Sequence, residues 1–224
     1  MIRSCDFCME FGNSAQASAG ASKRPAWMSK SLVVAPTVGP LRQGHMLLLP
    51  IEHVTSLGRV TVPTARELLT VIDEVKSLLK ERFGSIISFE HGTTGEERAG
   101  GCGIDHAHVH FLPLPTEIEG LPPVPGAAWA ALGGNWLEDL QRLSAEGQPY
   151  VYFETQSRGR YVTTATSLPS QFMRRWVAEQ IGLTTWDWRE STPASDYADA
   201  AAWMRNEMPP IGFVTLGELA EATT

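Results

Sequence analysis

The sequence predicts an α+β fold, with an antiparallel sheet packed on a helix and a mixed α/β C-terminal extension. Two observations predict it. Short β-prone runs stand on either side of one long segment with helical periodicity, in the order strand, strand, helix, strand, strand. After Pro113 the chain becomes rich first in proline and then in tryptophan. We expect residues 1–115 to form the first domain and residues 116–224 to pack on it as an extension.

The predicted strands of the first domain are short and apolar. Leu32–Ala35 and His45–Leu49 are separated by prolines and glycines, which break the run between them. Segments 85–91 and 104–112 are the next two strands, and a glycine-rich loop joins them. Strands connected in this way are expected to pair antiparallel.

One helix is predicted between the two pairs of strands. Apolar residues recur every three or four positions through residues 64–83, which is the periodicity of an amphipathic helix. Thr64 and Glu67 have the spacing of a capping box at its start, and Gly84 follows its last apolar residue. The helix is therefore expected to cover one face of the sheet.

The extension is predicted to contain both helices and strands. Six of the seven tryptophans lie in it, and they are expected to contribute to a core shared with the first domain. The predicted helices lie near Gly134–Ser144, Ser170–Ile181 and Asp196–Glu207, and the predicted strands at Tyr150–Glu154 and Arg160–Thr164.

Charge and composition exclude some function classes. The chain has 18 basic and 25 acidic residues, a net charge of −7, which disfavours a non-specific nucleic-acid or anionic-membrane surface. It lacks the apolar start of a signal peptide and any run of about 18 apolar residues, so a cytoplasmic protein without a membrane partner is expected. In that compartment Cys5 and Cys8, spaced C-x-x-C, indicate a metal or redox pair.

Half of the six histidines lie within five residues. On a strand, His106, His108 and His110 would share one face, with the outer two about 13 Å apart. Metal–nitrogen bonds of about 2.1 Å cannot easily gather all three around one ion. The patterns of amidohydrolases, metallo-β-lactamases and cupins also do not fit this chain. The three histidines are therefore expected to have different roles.

Glycines in front of the histidines suggest a phosphorylated ligand. Backbone N–H groups of Gly101, Cys102 and Gly103 can form a concave nest for phosphate oxygens. A neutral histidine beside such a nest can attack phosphorus and form a phosphoramidate that water then hydrolyses. His108 is the expected nucleophile because it is central in the run, and His45 and His110 are expected to donate to phosphoryl oxygens.

The segment "HAHVHFL", residues 106–112, resembles the signature of the histidine-triad (HIT) family. "GHMLLLPIEH", residues 44–53, and the N-terminal "CDFC" are similar to two further family elements in the same order. The resemblance implies a HIT-like antiparallel sheet, often dimeric, so a homodimer is a possible assembly. It also implies a purine nucleotide or nucleotide conjugate as partner and a covalent nucleotidyl adduct on His108.

The resemblance also implies a metal site and some substrate contacts. Zinc-bearing relatives hold a structural Zn²⁺ with two cysteines and two histidines, here Cys5, Cys8, His53 and His106, a closed N/S set that suits zinc. No organic cofactor is implied. Where relatives bind the ribose with an acidic residue this chain offers Thr37, and where many carry asparagine it has Glu90; both are expected to contact substrate.

The predicted activity is that of a HIT-type nucleotide hydrolase, acting on phosphorus-containing anhydrides or phosphoramidates at the α-phosphate. His110 stands where transferase branches carry glutamine, which favours hydrolysis. Two alternatives stay open: a nucleotidyltransferase or phosphorylase that uses the same intermediate, and a non-catalytic, zinc-stabilised nucleotide-binding protein.

Overall fold

The computed structural model describes residues 5–12, 24–94, 104–164, 167–190 and 196–208. In this part of the chain it contains five α-helices, a 3₁₀ turn at Leu57–Arg59 and eight strands. The helices are α1 (Asp6–Phe11), α2 (Val62–Phe83), α3 (Trp136–Ala145), α4 (Phe172–Gln180) and α5 (Asp196–Glu207). The strands are β1 (Trp27–Met28), β2 (Leu32–Pro36), β3 (Met46–Pro50), β4 (Ser85–Gly92), β5 (Val109–Leu114), β6 (Ala130–Leu132), β7 (Tyr150–Thr155) and β8 (Gly159–Thr164).

All eight strands form one antiparallel sheet in the order β1-β2-β3-β5-β4-β7-β8-β6. The predicted α+β class is therefore confirmed. Strand β5 lies between β3 and β4, so that His110 is opposite Leu47 on one side and Phe89 on the other. Strand β7 continues the sheet directly from β4. Both halves of the chain thus build the same sheet, and the domain division near residue 115 stays a prediction.

Both faces of the sheet are covered, because the strands alternate between two apolar cores. On β5, Val109 and Phe111 face the core that contains the buried side of α2. Leu112 faces the opposite core, where Met173 and Val177 of α4 are buried. A third apolar cluster joins α1 to β2 and β3 on the same side as α4. His110 therefore points towards the side of the sheet where α1 and α4 lie.

Most of the predicted elements are present within one or two residues of their expected bounds. In the extension, the three predicted helices and two predicted strands correspond to α3, α4, α5, β7 and β8. Strands β1 and β6 were not predicted, since two or three residues are too short to show an alternating pattern. No helix in the described ranges is long and apolar enough to cross a membrane.

Two boundary predictions were wrong. Helix α2 starts at Val62 with Thr61 as N-cap, because Pro63 in the first turn suits an earlier start, and no Thr64–Glu67 capping box forms. Its end is as predicted, at Gly84 with φ +86°. Strand β5 begins at Val109, not at residue 104, since the Ala107 N–H donates to the Val54 carbonyl instead of joining the sheet ladder.

Candidate metal centre and histidine pocket

Four potential metal ligands converge at the end of the sheet where α1 lies. Cys5 is the N-cap residue of α1 and Cys8 lies three residues later, so one helical turn brings the two thiols together. His53 follows β3, and His106 precedes β5. One ligand atom from each of the four residues lies within 4.8 Å of all the others.

The spacing of these atoms suits a tetrahedral ion. The Nδ1 atom of His106 is 3.4 Å from Cys5 Sγ and 3.5 Å from Cys8 Sγ, and His53 Nδ1 is 3.2 Å from Cys8 Sγ. A tetrahedral zinc, with bonds of about 2.3 Å to sulfur and about 2.0–2.1 Å to nitrogen, separates such ligands by about 3.5 Å. The two cysteines and two histidines fit this ion in both chemistry and size.

The surroundings prepare His106 as a ligand. Its Nε2–H donates to the Pro50 carbonyl at 2.8 Å, which leaves the lone pair on Nδ1, the nitrogen that faces the thiols. Burial lowers the pKa of His106 to about 4, so the imidazole is neutral as metal binding requires. Burial and the neighbouring Cys5 thiol raise the pKa of Cys8 to about 11, an effect that a bound cation reverses.

A buried chain of hydrogen bonds sets the protonation of His45 and His110. The Leu41 N–H donates to His45 Nδ1 at 3.3 Å, so the proton of the neutral ring is on Nε2. That Nε2–H donates to His110 Nδ1 at 2.9 Å, which places the proton of His110 on its own Nε2. Burial keeps the pKa of both rings well below its usual value, so both are neutral. Phe89 stacks on His110 with ring centroids 4.5 Å apart.

His108 has the opposite tautomer. Its Nδ1–H donates to the carbonyl of His106 at 2.7 Å, which leaves the lone pair on Nε2. Its ring centroid lies 4.9 Å from that of His110 and 5.3 Å from that of Phe7 in α1. Burial lowers the pKa of His108, so the neutral, nucleophilic form is favoured. The pocket therefore pairs a ring nitrogen that can attack with a ring N–H that can donate a hydrogen bond.

These two histidines line a cleft of about 220 Å³. Helix α1 contributes Phe7, β4 contributes Phe89, and the region of α4 contributes Arg174 and Trp188. The exposed wall is mostly apolar, although charged side chains such as Glu10 and Arg24 also line it. This combination is typical of small-molecule sites, and here both halves of the chain build it.

Comparisons with known proteins give one sequence relative. No family model matches the chain. The adenosine 5'-monophosphoramidase hnt1 of Schizosaccharomyces pombe (strain 972 / ATCC 24843) is 23% identical over 92 residues, 41% of this chain and 62% of the relative. The chain thus spans less than two thirds of the relative's length. This similarity agrees with two features of the structure, the buried histidines His106, His108 and His110 and the cluster of four potential metal ligands. In these features the chain resembles HIT proteins.

Solved structures similar to this HIT-like protein include three from bacteria. A HIT family protein from Bacillus anthracis str. 'Ames Ancestor' is 17% identical, with a TM-score of 0.42, and the match covers 64% of this chain and 96% of that one. A HIT family member from Bacillus subtilis is 16% identical, with TM-score 0.41 and coverage of 63% and 93%. A Zn-bound histidine triad family protein from Mycobacterium smegmatis is 17% identical, with TM-score 0.38 and coverage of 64% and 92%.

The sequence predicted that the three histidines of the triad share one face of a strand, but the structure does not place them in one row. Only His110 lies on β5, while His106 and His108 precede it. His106 faces the cysteines, and His108 and His110 line the cleft. The expectation that the histidines have different roles agrees with this placement, although the chain separates them by leaving the sheet and not by strand spacing.

Only some of the residues that were expected to contact substrate lie at the cleft. Thr37 lines the cleft. Glu90 does not: it points to the other face of the sheet, where its carboxylate accepts from the Leu57 N–H at 2.6 Å and the Tyr150 O–H at 2.8 Å. It therefore lies outside the proposed substrate site. The predicted phosphate nest at residues 101–103 falls outside the described residues.

Several cleft residues were not predicted by the sequence. Phe7 lies inside the C-x-x-C segment, directly before Cys8, so its position beside a predicted ligand was a usable signal. Arg174, on α4, and Trp188, in the segment after it, also line the cleft. Nothing local in the sequence separates Arg174 from its exposed neighbour Arg175, since their difference arises only when α4 packs against the first half.

Glu90 gives a prediction about pH and stability. Burial raises its pKa to about 7 from 4.5, despite the hydrogen bonds from Leu57 and Tyr150. Between these two pH values the unfolded chain releases the proton of Glu90 before the folded protein does. Its contribution to the free energy of unfolding therefore falls by about 1.4 kcal/mol per pH unit, or about 3 kcal/mol in total, as the pH rises.

Urea unfolding of wild type and Glu90→Gln at pH 4.5 to 8 measures this effect. Glu90 and His108 influence each other's pKa, so the difference between the two proteins reports Glu90 together with its interaction with His108. We expect Glu90→Gln to gain stability relative to wild type as the pH rises to about 7 and then to hold that gain. A difference that is constant with pH would contradict the assignment.

Proposed function

We propose that this HIT-like protein hydrolyses a bond at the α-phosphate of a nucleotide, a phosphoanhydride or phosphoramidate, through a nucleotidyl adduct on His108. The observation that carries the proposal is the opposite tautomers of two neighbouring cleft histidines. His108 presents the lone pair of Nε2, while His110 carries its proton on Nε2. Attack on phosphorus and hydrogen-bond donation to the phosphoryl group are the two tasks of such a displacement.

The proposed reaction has two displacements. In the first, His108 Nε2 attacks the α-phosphorus, an N–P bond forms, and the bond from phosphorus to the leaving group breaks. The leaving group takes the electron pair of that bond and departs as an anion, or as an amine from a phosphoramidate nitrogen that is already protonated. His110 keeps its proton and donates Nε2–H to the phosphoryl group as negative charge develops, oriented by the hydrogen bond from His45. In the second, water attacks phosphorus, the N–P bond breaks with its electron pair returning to His108 Nε2, and the attacking water loses one proton to solvent.

We also propose that Cys5, Cys8, His53 and His106 hold a structural Zn²⁺. Four protein ligands leave no open position, so the ion would hold α1 against the sheet and take no part in the chemistry. Two features connect the ion to the cleft. His108 follows the ligand His106 by two residues, and Phe7, between the two cysteines, packs edge-on against His108. Zinc binding would therefore order one wall of the cleft.

The relative from Schizosaccharomyces pombe is named as an adenosine 5'-monophosphoramidase, which makes adenosine 5'-phosphoramidate the first substrate to try. The cleft is mostly apolar beyond the histidines and includes Trp188, so a flat base has surfaces to pack on. We infer a nucleotide or nucleotide conjugate as the partner.

A substrate panel tests the proposal. Zinc-loaded protein is incubated with adenosine and guanosine 5'-phosphoramidates and with the corresponding dinucleoside polyphosphates in ¹⁸O-labelled water. We expect nucleoside monophosphate with one solvent oxygen on its phosphate. Product that forms only when inorganic phosphate or another acceptor is added would identify a phosphorylase or transferase. Tight binding without product across the panel would identify a binding protein, and either result overturns hydrolysis.

A further inference from the structure

The cleft contains a buried arginine whose hydrogen bonds are incomplete. The side chain of Arg174, on α4, is only 4% exposed and lines the same cleft as His108 and His110. Its Nη2–H donates to the Gly39 carbonyl at 2.6 Å and its Nε–H to the Trp186 carbonyl at 3.1 Å. Its Nη1 is buried and has no hydrogen-bond partner among the described residues.

This arrangement is unusual for an arginine that serves only to hold the fold together. Buried polar groups are nearly always paired, and a buried charge is costly without a counter-charge. Within the described part of the chain, no carboxylate forms an ion pair with Arg174. Two carbonyls fix the guanidinium in place, and the Asp187 carboxylate is near enough to raise the pKa of Arg174 without pairing with it, but Nη1 remains without a hydrogen bond.

The charge of Arg174 acts on the histidine cluster. Although burial lowers the pKa of Arg174 to about 10, the group is still protonated at neutral pH. After burial, its positive charge is a further cause that lowers the pKa of His45 and of His110. An anion between Arg174 and these neutral rings would thus meet one full positive charge and one N–H donor.

We propose that Arg174 is an anion-binding residue, whose Nη1–H donates to a nonbridging oxygen of the phosphoryl group that His108 attacks. This inference rests on the proposed function for the identity of the ligand, and it adds a specificity: the cleft selects phosphorylated nucleosides over nucleosides. It also gives the extension a role, because α4 supplies the positive charge that β5 and its histidines lack.

Arg175 provides a matched control on the same helix. Its side chain is 55% exposed and pairs with Glu179 one turn later. Arg174→Met and Arg175→Met therefore remove the same charge, one inside the cleft and one at the surface. Binding of AMP, adenosine and inorganic phosphate to each protein is measured by calorimetry. AMP has no leaving group to lose, so binding is separated from turnover.

We expect Arg174→Met to weaken AMP binding by about 10- to 100-fold, as expected for a charge-assisted hydrogen bond, with adenosine binding unchanged. Inorganic phosphate should likewise bind more weakly to Arg174→Met, whereas Arg175→Met should match wild type for all three ligands. Equal AMP affinity in Arg174→Met and wild type would overturn the proposal. So would an equal loss for AMP and adenosine, which would indicate a damaged cleft.

A second measurement does not depend on the folding of Arg174→Met. In wild-type protein labelled with ¹⁵N at arginine, the guanidinium signal of Arg174 is assigned by its loss in Arg174→Lys. Inorganic phosphate or AMP should shift that signal, and an unshifted signal at saturating AMP would overturn the inference. Phosphate binding through Arg174 without turnover of any substrate would overturn the proposed hydrolysis and leave this inference standing.

Discussion

Replacement of His108 by alanine is expected to lower kcat for the best substrate of the panel by about 10⁴-fold or more. The variant has no nitrogen at the position from which attack occurs, and the neighbouring rings cannot replace it. His45 and His110 use their Nδ1 atoms as acceptors in the buried hydrogen-bond chain, and His106 faces the cysteines. AMP affinity should change much less, because Arg174 and the apolar walls remain.

Two controls separate lost chemistry from lost structure. The His108→Ala protein should retain its thermal midpoint and its zinc content, since the metal ligands are unchanged. His108→Gly should recover part of its activity when imidazole is added, because the small base can occupy the space left by the side chain. Activity of His108→Ala within tenfold of wild type would contradict the proposed nucleophile.

Replacement of Cys8 by serine is expected to remove the metal ion and to lower the free energy of unfolding by about 3 kcal/mol or more. Helix α1 has only six residues, too few for an isolated helix to be stable in water. Its attachment depends on the apolar contacts of Phe7 and Phe11, on the ion pair of Glu10 with Arg24 and on the proposed ion. Loss of the ion should also lower kcat, since Phe7 packs against His108.

Metal analysis and urea unfolding of Cys8→Ser measure both effects. Cys102→Ser serves as the matched control because Cys102 is the third cysteine and is not one of the four proposed ligands. We expect about one zinc per chain in wild type and in Cys102→Ser, and a large loss in Cys8→Ser. An unchanged metal content and stability in Cys8→Ser would contradict the four-ligand site.

The sequence predicted the elements whose patterns are local. Helix α2 can be recognised from its periodicity, and strands β2, β3 and β4 from their apolar runs. In each case neighbouring residues alone determine which face is exposed and which is buried. The predicted strand 104–112, which contains the triad, started too early, because the Ala107 N–H donates to the distant Val54 carbonyl and no local pattern predicts that contact. The capping box failed for a related reason, as Pro63 made an earlier start equally favourable.

In the site, too, residues within local motifs could be predicted, whereas residues placed by distant contacts could not. The four proposed ligands could be named because the resemblance to the HIT family carries them as motifs, and the structure brings those residues together. Arg174 could not be identified, because its burial depends on carbonyls at Gly39 and Trp186 and on the packing of α4. Glu90 was misplaced because alternation along β4 sends it to the α2 side of the sheet.

The stereochemical course at phosphorus tests the central claim most directly, namely that His108 forms a covalent intermediate. A nucleoside phosphorothioate substrate, chiral at the α-phosphorus, is hydrolysed in isotopically labelled water, and the configuration of the product is determined. Two successive in-line displacements, one by His108 and one by water, predict retention of configuration. Inversion would show a single direct attack by water and would contradict the nucleotidyl-histidine mechanism.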